Sequence, residues 1–163
     1  MINLKEIKNN IFKKENFYFL IIIILTFSID RYSKIKIINN FSDNTLYVND
    51  FVNFHLVWNT GIGFGFLSTN SNLIYNSITI IIALVIFFLF YLIVKSENID
   101  KILFSLILGG AIGNFYDRLV YFAVPDFIDI HYNNIHWFTF NIADIFITLG
   151  IIILISKDFF IKQ

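Results

Sequence analysis

In the stretch FNIADIFITLG, residues 140 to 150, one carboxylate interrupts what otherwise reads as the opening turns of a membrane helix. An aspartate at the centre of an inserted helix costs about 3 kcal/mol even on a lenient insertion scale, so Asp144 needs a partner or a use. A second carboxylate, Asp126, lies just upstream in VPDFIDIH, and neither has a basic residue at helical spacing. Two carboxylates brought together in a partly desolvated site do not both ionise easily, so one keeps a proton and the two titrate as a pair. Such a pair holds a general base and a general acid at once, which is what water attack on a peptide bond requires. A proton path or a cation site is the competing use for the same residues.

The other polar groups in apolar surroundings gather in three places. Asp30 and Lys34 are four residues apart in DRYSK and form an ion pair on one helix face. Asn114, Asp117 and Arg118 share a face, and Asp117 with Arg118 reads as a structural pair. Asn141, Asp144 and Thr148 form one stripe. Gly109 and Gly113 have the small-xxx-small spacing of a close helix contact. A metal site at His131 and His136, with Asp129 nearby, is conceivable, but a five-residue spacing suits no common helical ligand pair, so the two read as interfacial side chains. No serine has a matching histidine or a nucleophile-elbow pattern. The chain has no cysteine, so its chemistry rests on oxygen and imidazole.

Four elements must carry these groups. The 163 residues fit one membrane domain, since 57% are hydrophobic and only 15% charged. Spans are expected at 17–38, 73–94, 102–120 and 140–156, joined by links at 39–70 and 121–139. Lysines precede the first span (Lys5, Lys8, Lys13, Lys14), bracket the short second link (Lys95, Lys101) and follow the last span (Lys157, Lys162). Both termini are therefore expected in the cytoplasm, and the two long links, without Lys from 39 to 70 and from 121 to 139, outside. The start is not expected to be a cleaved signal peptide, because SIDRYSK offers no small-x-small site. Val52 to Asn59 alternates like a half-buried strand, predicting a small outward-facing sheet, while the aromatic third link is expected to form a short interfacial helix or lid. The expected class is thus an all-α polytopic membrane protein with four transmembrane helices and that small sheet. The net charge is zero and no nucleic-acid partner is expected. Every buried acid falls near the outer ends of the spans, and the inner halves carry nothing ionisable, which favours surface chemistry over a proton-coupled carrier.

The chain also resembles the lipoprotein signal peptidases, or signal peptidase II, of bacterial inner membranes. The resemblance is carried by DRYSK, NTGIGFG, GGAIGNFYDR, VPDFIDIH and FNIADIFITLG, in that order. It implies a multi-pass aspartyl endopeptidase without cofactors, acting near the outer face of the inner membrane. Its substrates would be prolipoproteins carrying a diacylglyceryl group on the cysteine after the cut, met among membrane lipids by a monomeric enzyme. The motif matches imply Asp126 and Asp144 as catalytic, Asn59, Gly61, Asn114, Arg118 and Asn141 around the substrate, and Asp30 with Lys34 in support. Asp117 ranks below Asp126 as a catalytic acid. Pro125, Phe138 and Ile145 depart from the family pattern without removing a carboxylate, and Ile62 and Gly63 alter the small residues expected after Gly61.

Overall fold

The computed structural model describes residues 14–41, 44–61, 71–133 and 135–161. Four helices alternate with four strands: α1 (Lys14–Asn40), β1 (Leu46–Asn49), β2 (Val52–Asn59), α2 (Asn72–Lys95), α3 (Asn98–Tyr121), β3 (Val124–Tyr132), β4 (Ile135–Phe140) and α4 (Ile142–Ile161). The lysines expected before the first span, Lys5, Lys8 and Lys13, lie outside the described residues, as do Ile62, Gly63 and Lys162.

Helix α3 is the centre of the bundle and packs against α1, α2 and α4. Its glycines make this possible. A Cβ on Gly109 would sit 2.7 Å from Thr26 Cβ of α1, and one on Gly113 would sit 2.5 Å from Asp30 Oδ2. The α1–α3 contact is therefore closer than any larger residue permits, as the small-xxx-small spacing predicts. Leu89 and Ile93 of α2 meet Ile107 and Leu108 of α3 in the apolar core, with Ile23, Ile147 and Leu154 packed around them. On the far side of α2 the side chains of Ile80, Leu84, Phe87 and Phe88 are more than half exposed. A patch of that kind is untenable in water and suits a lipid surround. At about 1.5 Å per residue α2 is ~36 Å long, more than a hydrocarbon core requires. Among the described residues Asn72–Lys95 and Ile99–Tyr121 are the helices long and apolar enough to cross a membrane by length and composition. In α1 the apolar run ends at Asp30, Arg31 and Lys34, and all three are buried inside the bundle.

The four strands form one antiparallel sheet in the order β1-β2-β3-β4. The β1–β2 reversal is set by Asn49, whose Oδ1 accepts the backbone N–H groups of Phe51 (2.9 Å) and Val52 (3.0 Å). At the end of α3, Phe122 takes the left-handed conformation (φ 56°) that stops the helix and turns the chain into β3. The interfacial helix expected as one form of the link 121–139 is thus corrected to two strands. Helical expectation failed because β3 is an inner strand lying on α1 and α3, so Val124 to Phe127 are buried on both faces and lack a clean alternation. Pro125 lies opposite Trp58 at the start of β3, where a missing N–H disturbs the ladder least. The architecture is mostly helical with a four-stranded sheet rather than all-α.

Candidate active site

Asp126 comes from β3 and Asp144 from the first turn of α4, and both are buried, with 1% and 8% of their surface exposed. Asn141, the residue before α4, connects them. Its Nδ2 donates to Asp126 Oδ1 (2.6 Å), and its Oδ1 accepts the backbone N–H of Asp144 (3.1 Å). Its own backbone N–H donates to Asp144 Oδ2 (3.1 Å). The last two bonds form a reciprocal cap at the helix start, with Asp144 in the place usually taken by Glu or Gln. The bond that starts α4 therefore also orients Asp144, and the same amide holds Asp126.

Each carboxylate has one more amide donor. Asn59 Nδ2 donates to Asp126 Oδ2 (2.8 Å), and Asn114 Nδ2 donates to Asp144 Oδ1 (2.8 Å). Asn59 is fixed in turn, because its Oδ1 accepts the N–H of Gly61 (2.7 Å) in an Asx turn, and Arg118 Nη2 donates to the Gly61 carbonyl. Burial pushes the Asp126 carboxyl up to about 7; the charge of Asp144 adds to the rise, while the Asn59 and Asn141 donors and the Lys34 charge oppose it. Near neutral pH this site therefore holds a proton available for transfer.

A layer of ion pairs lies behind the amides. The fully buried Lys34 ammonium donates to Asp30 Oδ2 (2.8 Å), Asn114 Oδ1 (2.8 Å) and Asp117 Oδ2 (2.7 Å), using all three of its protons. Arg31 pairs with the other oxygen of Asp117, and its guanidinium lies over the Tyr116 ring at 4.8 Å. Asp30 Oδ1 accepts the backbone N–H of Ala143 (2.9 Å), so the pair on α1 also anchors the N-terminus of α4. Asp30, Lys34 and Asn114 thus connect to Asp144 in one chain of hydrogen bonds.

The expected Asp117–Arg118 pair is corrected here. Neighbouring helix residues point apart, so Asp117 turns to α1 while Arg118 turns to Gly61. Arg31 was not singled out in the sequence, although it sits between Asp30 and Lys34; its partner comes from a different helix. Thr148, Phe140, Ile145 and Leu149 line an apolar pocket of about 210 Å³ that Asp144 borders. Phe138 lies exposed on β4, and Ile145 is part of the pocket wall.

Two carboxylates held by three asparagines, beside an apolar pocket and backed by ion pairs, match the motifs quoted above. The sequence model described as "Signal peptidase (SPase) II" matches residues 22–160. The chain belongs to the signal peptidase II family. A lipoprotein signal peptidase of Pelagibacter ubique is 48% identical over 153 residues, covering 91% of this chain and 92% of that protein. One from Francisella tularensis subsp. mediasiatica is 39% identical over 163 residues, covering 94% and 98%. A bacterial membrane enzyme solved by the in meso method at 2.3 Å resolution superposes with a TM-score of 0.71 at 30% identity, covering 90% of this chain and 92% of that one. The family member described here is accordingly a membrane peptidase.

Proposed function

We propose that this chain is an intramembrane aspartyl endopeptidase that removes the signal peptide from diacylglyceryl-modified prolipoproteins, cutting before the lipidated cysteine. The observation that carries the reading is Asn141, whose one amide engages Asp126 while its cap bonds fix Asp144. Both carboxylates are thereby tied to one residue, and among the described residues neither has a directly bonded cation. One ionised carboxylate takes a proton from water as the water oxygen attacks the scissile carbonyl. The protonated partner donates to the carbonyl oxygen, giving a neutral tetrahedral diol. The roles then reverse: one diol hydroxyl returns its proton to a carboxylate as the C–N bond breaks, and the other carboxylate protonates the departing amine. No cofactor takes part. Asn59, Gly61, Asn114, Asp117 and Arg118 position the site, and Asp30 with Lys34 anchors the helix that carries Asp144.

In this reading all four helices span the bacterial inner membrane at 17–38, 73–94, 102–120 and 140–156 as one domain and a monomer. The sheet and the links 39–70 and 121–139 face outward, and both termini are cytoplasmic. Two observations support that orientation: Lys157 of α4 pairs with Asp100 at the start of α3, at the end of the bundle away from the sheet, and Lys95 ends α2 there too. Acyl chains of the substrate enter from the membrane lipids toward the pocket walled by Phe140, Ile145 and Leu149.

The test is release of signal peptide from a diacylglyceryl prolipoprotein by the full chain in detergent. Asp126→Asn and Asp144→Asn are each expected to lose on the order of 10³-fold in rate, the usual worth of a general acid or base. Full activity in either folded variant overturns the proposal, and so does equal cleavage of the unlipidated precursor.

A further inference from the structure

On the face of β3 opposite Asp126, a second polar cluster has no part in that chemistry. Strand alternation puts Asp129 and His131 together on this face. The register adds two neighbours: His131 pairs with His136 of β4, and Asp129 pairs with Asn53 of β2. Asp129 Oδ2 lies 2.7 Å from His136 Nδ1 and 3.8 Å from His131 Nδ1. The two imidazoles stack with centroids 5.4 Å apart and planes at 24°. One ligand atom from each of the three residues falls within 4.8 Å of the others. The five-residue spacing that disqualifies a helical ligand pair is the spacing a tight hairpin brings side by side.

A bland reading is a hydrogen-bonded cross-strand pair, and it leaves one fact unexplained. His131 Nδ1 is buried and has no hydrogen-bond partner, although it faces a carboxylate. A buried polar atom without a partner costs about 1–3 kcal/mol, so it points to something that is bound there. Its other nitrogen, Nε2, lies 3.4 Å from the Asn53 amide. Amide orientation is interchangeable by a half-turn of the side chain. With the amide oxygen turned toward it, Nε2 carries the proton and Nδ1 presents a lone pair, the arrangement found around metal-bound histidines.

We propose that Asp129, His131 and His136 bind one divalent transition-metal ion of the Zn²⁺ type, with water completing the shell and Asn53 orienting His131. Ligand atoms on a tetrahedral zinc with bonds of about 2.0–2.1 Å lie roughly 3.3 Å apart, and the two distances to Asp129 Oδ2 straddle that value. Small side-chain rotations close the set. The proton now on His136 Nδ1 moves to Nε2 through solvent, since that ring is 60% exposed. Two imidazoles and a carboxylate favour zinc-like ions over Mg²⁺ or Ca²⁺, which prefer oxygen. The ion fastens β4, an edge strand paired on one side only, to β3, which carries Asp126. It acts as a structural clamp and touches neither Asp126 nor Asp144.

The full chain, purified with a histidine-free tag and stripped by chelator, is titrated with zinc sulfate; bound metal is counted after desalting and Tm is followed. One equivalent of retained Zn²⁺ and a raised Tm are expected, with no effect of Mg²⁺ at the same concentration. His136→Ala, an exposed site where folding is safe, and Asp129→Asn should lose the equivalent and the Tm rise. Asn53→Ala should weaken binding ~10–100-fold, and His55→Ala should change nothing. Signal-peptide release at low temperature is expected to be the same with and without zinc, which separates this clamp from the catalytic proposal. Less than a tenth of an equivalent bound by the wild type, or binding unchanged in His136→Ala, overturns the assignment.

Discussion

Asn141 offers two functions that can be separated by substitution. Its Oδ1 caps α4, and its Nδ2 holds Asp126. Asn141→Ala removes both. Losing the cap costs about 1 kcal/mol of stability. Losing an amide donor to a carboxylate is worth about 1.5–3 kcal/mol, equivalent to ~10- to 150-fold in kcat/KM if the bond is needed in the transition state. Asn141→Ser keeps an oxygen able to accept the Asp144 N–H but is too short to reach Asp126. Serine is therefore expected to restore most of the Tm lost in the alanine variant while leaving kcat/KM near the alanine value. The pH profile supplies an independent check. The Asn141 donor favours the ionised form of Asp126, so its removal lifts that carboxyl further, and the alkaline limb of activity moves to higher pH. The assay is cleavage of a lipidated prolipoprotein in detergent, across pH, alongside thermal unfolding. Wild-type kcat/KM in a folded Asn141→Ser variant would show that the amide does not position Asp126, and the reasoning fails.

For the wild type, an Asp126 carboxyl near 7 means that activity falls as pH rises through about 7, because the site loses the proton it must donate; a flat profile from pH 6 to 9 refutes this. Stability follows the same sign. Asp126 binds its proton more tightly folded than unfolded, so between about pH 4 and 7 the folded state holds more protons, and stability declines with rising pH before levelling. Asp126→Asn should remove most of that slope in unfolding measured across pH. Gly113→Ala places a methyl 2.5 Å from Asp30 Oδ2 and should cost about 1–3 kcal/mol through overpacking; an unchanged Tm would mean that α1 and α3 separate freely.

How legible the sequence was depended on whether a group's partner was local. The helices were readable because long apolar runs have few alternatives, and each helix begins within about four residues of the expected start and ends within about five of the expected end. The bounds of β2 were readable, since Val52 to Asn59 alternates apolar and polar residues for most of its length. Asp30 with Lys34 was readable because both lie on one turn. Arg31 with Asp117 was not, because the pair joins two helices. The hub role of Asn141 was half visible: its cap position is local, whereas its bond to Asp126 depends on β3 being a strand. The closeness of His131 and His136 was hidden for the same reason, since their spacing was weighed against a helix and they pair across two strands. In each case the missing information was register between elements, which composition and spacing do not contain.

Among the described residues no cation bonds directly to Asp126 or Asp144, and charge counting gives that arrangement a physical logic. Leaving aside Asp129, which bonds His136 on the opposite face of β3, the buried charges around the site among the described residues are four carboxylates, Asp30, Asp117, Asp126 and Asp144, against three cations, Arg31, Lys34 and Arg118. Burying a net charge is costly, most of all beside hydrocarbon. The constellation is neutral when the four carboxylates share a single proton. Lys34 and Arg31 spend themselves on Asp30 and Asp117, so that proton is left to the carboxylates held by asparagines. An amide fixes a carboxylate in place without forcing it to stay ionised, whereas a bonded ammonium would remove the acid from the pair. The count makes a signed prediction. Asp117→Asn removes a negative charge, lessens the demand for the proton and moves the alkaline limb to lower pH; Lys34→Met removes a positive charge and moves it to higher pH. Each also breaks a buried pair and should lower stability by about 3–5 kcal/mol, so instability alone cannot produce the opposite signs. Limbs that move together, or that do not move in folded protein, would show that Asp126 senses only its immediate amides and that the ion pairs serve packing alone.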